Sequence, residues 1–203
     1  AAALIEHLKN KDEFNRFNPV PSISADSYMY DPNGKYWRGG VWPCMNYGVF
    51  SGLVKKGYSD LAFELAKRHN QCVCDVFHNP TEEHKKHAKS PKEVNTLWEC
   101  YAPDSNDFSS PSLPEFVGWS ALSTISILFE FVFGIIPRPT ENTIIWNVNL
   151  TDEFGIEKYP INGKTVDLKC KRRADKNAEP EITVIGDVKV IARYNGKEKV
   201  ING

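Results

Sequence analysis

Charge of either sign in excess is the first thing missing from this chain. Across 203 residues, 25 Lys and Arg stand against 26 Asp and Glu, for a formal net charge of −1. Without a basic surplus there is no electrostatic case for nucleic acid or an anionic membrane surface as a partner. Long apolar runs are missing too. The longest, Ile125 to Ile136, is broken by Glu130 and Gly134. It is too short to span a bilayer and reads as buried helix. The almost wholly apolar helix opened by Gly118-Trp119-Ser120-Ala121-Leu122 and running to about Phe133 is predicted to be buried on every side. Cysteine is sparse and odd in number: Cys44, Cys72, Cys74, Cys100 and Cys170. In a chain long enough to build its own core, that argues against a disulfide framework. Cys72 and Cys74 lack the spacing of zinc or redox motifs, so free, buried thiols are expected and no metal or cofactor is implied. The first residues, Ala1 to Leu8, have no initiator Met and no basic leader. They read as the middle of a helix, so this chain is expected to be part of a longer protein. Export, to the periplasm or beyond, stays open.

What the chain does have is aromatic side chains: 5 Trp, 8 Tyr and 11 Phe. Many fall in loops rather than at periodic core positions. A short helix is predicted over Ala1–Lys11, followed by an extended Asn18-Pro19-Val20-Pro21 segment, since each proline disfavours helix before it. Asp31-Pro32-Asn33-Gly34 is a turn signal. The aromatic and glycine-rich loop Tyr36-Trp37-Arg38-Gly39-Gly40-Val41-Trp42-Pro43 follows it. A helix is predicted from Cys44 to Lys56, stopped by Gly57. The next is capped by Ser59 and runs to Phe77, with Leu61, Ala62, Leu65 and Ala66 inward. Residues 79–91 are rich in Lys, Glu and His; His84 and His87 are read as solvent-facing rather than as a metal pair. Beyond Pro137-Arg138-Pro139 the pattern changes to short alternating segments: 143–150, 165–171, 181–185 and 188–194. Asn162-Gly163 and Asn195-Gly196 between them are hairpin signals. The expected division is residues 1–138, helical, and 139–203, a small antiparallel β region.

The one stretch that points to chemistry is Leu97-Trp98-Glu99-Cys100-Tyr101-Ala102-Pro103. A single carboxylate lies between two aromatics, after a short helix predicted over Pro91–Trp98 and before a proline-rich loop. Flat rings with polar edges stack on sugars, and a carboxylate among them suits acid or base work. A capping or solvent-facing glutamate is the plainer account of the stretch on its own.

Taken in order, Trp37-Arg38-Gly39-Gly40-Val41-Trp42-Pro43, Glu99-Cys100-Tyr101-Ala102-Pro103 and Gly118-Trp119-Ser120-Ala121-Leu122 resemble bacterial members of glycoside hydrolase family 63, the processing α-glucosidases. The resemblance covers Phe14 to Ile136. It implies a mainly α chain forming the second half of an (α/α)6 barrel, followed by the β region. By position it implies Glu99 as the general base of an inverting hydrolase of α-glucosides. It also implies Tyr36, Trp37 and Trp42 as an aromatic wall, Arg38 as a partner for hydroxyls or carboxylates, and Tyr101 and Trp119 as further substrate-binding residues. The implied partner is an α-linked oligosaccharide. The family usually carries Pro where Gly40 stands, which bears on specificity. The family's general acid is an Asp in the first half of the barrel, and none of Asp26, Asp31, Asp104 or Asp107 sits in a matching motif. The acid is therefore expected in a missing N-terminal part of the same enzyme, leaving this piece inactive alone. Two other classes remain: a non-catalytic carbohydrate-binding protein on the same barrel, and a structural helical domain. Trehalase-like and rhamnosidase-like hydrolysis are the alternatives within enzymes.

Overall fold

A computed structural model describes residues 2–82, 85, 95–116 and 118–203. His84 and His87 lie outside these residues. The chain divides into two compact units, Ala1–Ile127 and Leu128–Gly203.

The first unit carries four α-helices among its described residues: α1 (Ala2–Lys9), α2 (Pro43–Lys55), α3 (Ser59–His78) and α4 (Trp119–Ile127). Trp42, in extended conformation, caps α2, and Pro43 takes the first helical position, where its missing N–H costs nothing. The helix ends before Gly57, whose φ of 84° is the left-handed turn that glycine supplies cheaply. In α3, Ala62, Leu65, Ala66, His69, Asn70, Val73 and Val76 form the buried stripe, a helical period that the sequence carries plainly. Tyr58 rather than Ser59 caps this helix, and no side chain closes its first turn. Helix α4 packs on α2 and α3, burying Ser120, Ala121 and Ile127. Trp119, Leu122 and Ile125 stay exposed, so the helix expected to be buried on every side keeps an open apolar stripe at i, i+3, i+6. The five cysteines are free: Cys72, Cys100 and Cys170 are buried, Cys44 half-buried and Cys74 exposed. No helix among the described residues is long and apolar enough to cross a membrane.

The second unit holds seven strands among its described residues, in two sheets. The strands β1 (Ile135–Arg138), β2 (Thr143–Asn147), β6 (Lys189–Tyr194) and β7 (Lys197–Asn202) form one sheet in the order β1-β2-β6-β7. The strands β3 (Phe154–Ile161), β4 (Lys164–Cys170) and β5 (Ile182–Ile185) form the other. Trp146, Ile144, Val190 and Ala192 of the first sheet share one core with Ile161, Val166 and Leu168 of the second. Alternation along β4 and β6 sends every second residue into it.

The expected mainly α fold, half of an (α/α)6 barrel, is not what forms. Four helices among the described residues, separated by long irregular stretches, stand beside seven strands. The physical reason is local. Proline and glycine between residues 18 and 43 deny the chain helix, and residues past Gly134 alternate with a period of two. The β region is mixed rather than antiparallel, because β2 and β6 run parallel. At Gly134, with φ 73°, a Cβ would run into Asn147 O, so the apolar run turns there into β1 instead of continuing as helix.

Candidate active site

Glu99 is held in the first unit by three elements at once. It does not end a helix. Residues 96–98 are irregular and Glu99 lies in a bend, because the segment pairs sideways instead. Glu99 N–H donates to Leu113 O at 2.9 Å, and Ser109 N–H to Cys100 O at 3.0 Å. Tyr101 forms bridges with both Val41 and Phe108. From α4, the Ser120 hydroxyl donates to Glu99 O at 2.6 Å. The glutamate's backbone is thus fixed on both sides before its side chain is considered.

The aromatic loop closes over that side chain. Asp31 builds its turn: Oδ1 accepts Asn33 N–H at 2.9 Å, and its carbonyl accepts Gly34 N–H at 2.9 Å. Gly40 N–H then bonds back to Gly34 O at 2.8 Å and Tyr36 O at 2.9 Å, so the 34–40 segment is a closed ring. Within it Tyr36 adopts φ 62°, a left-handed conformation unfavourable for tyrosine. That conformation brings its hydroxyl to Glu99, donating to Oε1 at 3.0 Å. This bond to the carboxylate raises the Tyr36 phenol pKa above the ordinary tyrosine value. Glu99 is only 6% exposed. Its other oxygen, Oε2, makes no hydrogen bond to a described residue. Next to it, burial above all pushes the Cys100 thiol up to about 11, so it stays protonated at neutral pH.

The rings form one cluster. Trp37 stacks on Trp42 at 4.2 Å and 10°, Tyr36 stands edge-on to Trp42 at 4.8 Å, and Trp119 meets Trp42 edge-on at 6.3 Å. Trp42 is buried beneath this layer at 1% exposure, whereas Trp37 (48%) and Trp119 (55%) face solvent. The Trp42 indole N–H is buried with no hydrogen-bond partner among the described residues.

Two expected binding residues sit elsewhere. Tyr101 is a core residue at 1% exposure; its hydroxyl accepts Trp98 N–H at 3.1 Å, and no ring face is left for a sugar. Trp98 is likewise taken up, stacked on Phe108 at 3.9 Å. Arg38 donates from Nε to Met29 O at 2.8 Å, tying its loop to the neighbouring segment instead of reaching the carboxylate. Asp104, the nearest aspartate in sequence, has both oxygens occupied, Oδ1 by Arg16 at 2.8 Å and Oδ2 by Tyr30 at 3.0 Å. Ser120 is the contact that sequence reasoning missed. Its signal was its place beside Trp119 in the first turn of α4. Among the described residues no three His, Cys, Asp or Glu side chains gather as a metal set. Glu99 lines neither of two cavities among the described residues, one of about 600 Å³ on the β3-β4-β5 sheet and one of about 590 Å³ between α1 and α2.

A model of the mannosylglycerate hydrolase MGH1-like glycoside hydrolase domain matches residues 1–113. The chain belongs to that family. The match takes in Glu99 and the whole aromatic loop; Trp119 and the β unit lie beyond it. An uncharacterized protein of Borreliella burgdorferi (strain ATCC 35210 / DSM 4680 / CIP 102532 / B31) is 26% identical over 179 residues. That alignment covers 83% of this chain and 35% of the relative, so the chain spans about a third of the relative's length. The family makes this a glycoside hydrolase domain, without singling out the α-glucosidase branch.

Proposed function

We propose that Glu99 is the general base of an inverting glycoside hydrolase acting on α-linked glucosides. The observation that supports this best is the carboxylate's asymmetry. Oε1 is fixed by the Tyr36 hydroxyl at 3.0 Å, while Oε2 is left for a water molecule. In the reaction Glu99 takes a proton from that water as its oxygen attacks the anomeric carbon. The bond to the leaving oxygen breaks, and a carboxylic acid on the opposite side of the sugar delivers the proton that oxygen needs. Inversion requires the two carboxyls to stand roughly 6.5–9.5 Å apart. The acid is assigned to a part of the protein outside this chain, in keeping with Asp104 being fully engaged by Arg16 and Tyr30. Trp37 and Trp119 offer exposed faces for the sugar, and Trp42 backs them from below, its N–H still without a partner. Tyr101 and Arg38 act as supports of the loops in this reading.

The family's namesake is a mannosylglycerate hydrolase, so mannosylglycerate belongs in the substrate panel beside maltose, nigerose, kojibiose and trehalose. The test is Glu99→Gln in the full-length protein. Turnover is expected to fall by about 10²–10⁴ with sugar binding retained, and the wild-type product is expected with inverted anomeric configuration. Near wild-type turnover by Glu99→Gln would remove the base assignment. Sugar binding without turnover by the wild-type protein across the panel would favour the carbohydrate-binding reading.

A further inference from the structure

Beneath the Glu99 loop lies a buried polar cluster that the proposed reaction does not use directly. Asn18, Asn46 and His69 are each fully buried, from the 10–42 segment, α2 and α3 respectively. His69 continues the inward stripe of Leu65 and Ala66, where an apolar residue would be the ordinary choice. Its Nδ1 lies 3.3 Å from Asn18 Oδ1 and 3.3 Å from Asn46 Nδ2. Only one of these is a hydrogen bond at a time, and chemistry selects it. Asn46 Nδ2 already donates to Pro19 O at 3.0 Å. If Nδ1 accepted from Asn46, the buried Nε2 would carry a proton with no acceptor, and Asn18 Oδ1 would face a lone pair. With the proton on Nδ1, His69 donates to Asn18 Oδ1 and Nε2 is a bare acceptor, the less costly orphan.

Asn18 hands the contact on. Its Nδ2 donates to Ala102 O at 3.3 Å, and its backbone N–H to Pro103 O at 2.8 Å. The His69 ring also stands edge-on to Tyr101 at 6.4 Å and 88°. Every residue from Tyr101 to Pro103 is therefore braced from below. The brace is itself held under strain. Val20, two residues after Asn18, has φ 60°, which a β-branched residue adopts only when its surroundings over-determine it. Here they do: Val20 N–H donates to Phe14 O at 2.9 Å, and Asn46 grips Pro19.

We propose that Asn18 and His69 are positioning residues for the Glu99 carboxylate, acting through the carbonyls of Ala102 and Pro103 without touching substrate. This rests on the reading of Glu99 as the base. The geometry demands little movement to matter, since a displacement of about 1 Å costs on the order of 10²-fold in rate.

The test uses Asn18→Asp in the full-length protein, with His69→Leu and His69→Asn. Asn18→Asp is isosteric and keeps the acceptor for His69 but loses the donor to Ala102. His69→Asn keeps a donor near the Nδ1 position; His69→Leu does not. Two readouts are taken: kcat and KM on whichever of maltose, nigerose, kojibiose, trehalose or mannosylglycerate is turned over, and the titration of the Tyr36 phenol, which reports its contact with Glu99. Asn18→Asp and His69→Leu should lower kcat by about 10–100-fold with KM within about twofold. Both should bring the Tyr36 titration down toward that of Glu99→Gln, and His69→Asn should restore most of each. Wild-type kcat together with a wild-type Tyr36 titration in Asn18→Asp overturns the inference, as does a kcat loss that His69→Asn fails to restore. If Glu99→Gln itself keeps its activity, the base reading falls. The Tyr36 titration then still decides whether Asn18 and His69 position the carboxylate.

Discussion

His69 shows how one side chain ties acid stability to the site. Burial lowers its pKa from 6.5 to about 3, so the native chain keeps it neutral while the unfolded chain protonates it below 6.5. Between those values the unfolded state binds more protons, and stability rises with pH. As pH falls from 6.5 toward 3, unfolding should become easier by up to about 1.4 kcal/mol per unit from this group alone. Chemical denaturation of wild type and His69→Asn at pH 7 and pH 5 checks it: the variant should lose less stability over that interval. Equal losses would mean that His69 is solvated or protonated in the native state. The inward stripe read from the sequence stopped at Ala66, one turn short of His69, which the structure buries. Its partners Asn18 and Asn46 were not legible, because they lie 51 and 23 residues away in sequence.

At the scale of elements, the ring of residues 34–40 carries the most function in the fewest residues. One signal was legible: Asp31 to Gly34 as a turn. What Gly40 does was not. Its N–H serves Gly34 O and Tyr36 O together, and a Cβ there would run into Tyr36 O. Proline, which the resemblance places at this position, would remove that N–H. Gly40→Ala should push the Tyr36 carbonyl aside and draw the hydroxyl off Glu99. Expected are a fall in turnover, a lower Tyr36 titration and a stability loss of about 0.5–3 kcal/mol, read by kinetics, titration and denaturation. An unchanged Tyr36 titration would show that the ring absorbs the methyl elsewhere. The segment before Glu99 teaches the opposite lesson. A helix was expected to reach Trp98, but the stacking of Trp98 on Phe108 at 3.9 Å and the Tyr101 bridges to Val41 and Phe108 override local propensity.

At the scale of the whole molecule, two cores are built on two periods. The β unit's core is centred on Trp146, fully buried, with its indole N–H donating to Phe133 O at 2.9 Å. Among the described residues, that core cluster is drawn from the second unit. Trp146→Ala should therefore cost about 3–5 kcal/mol in the β unit and leave the Tyr36 titration unchanged. Melting of the β signal together with collapse of that titration would show that the two units fold as one.

Local chemistry alone determined the helices α2 and α3, the alternating strands β2, β4, β5 and β6, and the hairpin turns at Asn162-Gly163 and Asn195-Gly196. Those features depend on neighbours a few residues apart, where period and turn propensity act. The strand β3 escaped because its register shifts between Ile156 and Tyr159, and β7 because charge masks its alternation. Only the tertiary structure decided that Tyr36 reaches Glu99 across 63 residues, that Trp42 and Tyr101 lie under the surface while Trp37 and Trp119 face solvent, and that helix gives way to sheet after Gly134. Those outcomes come from packing between distant segments, which no local period records.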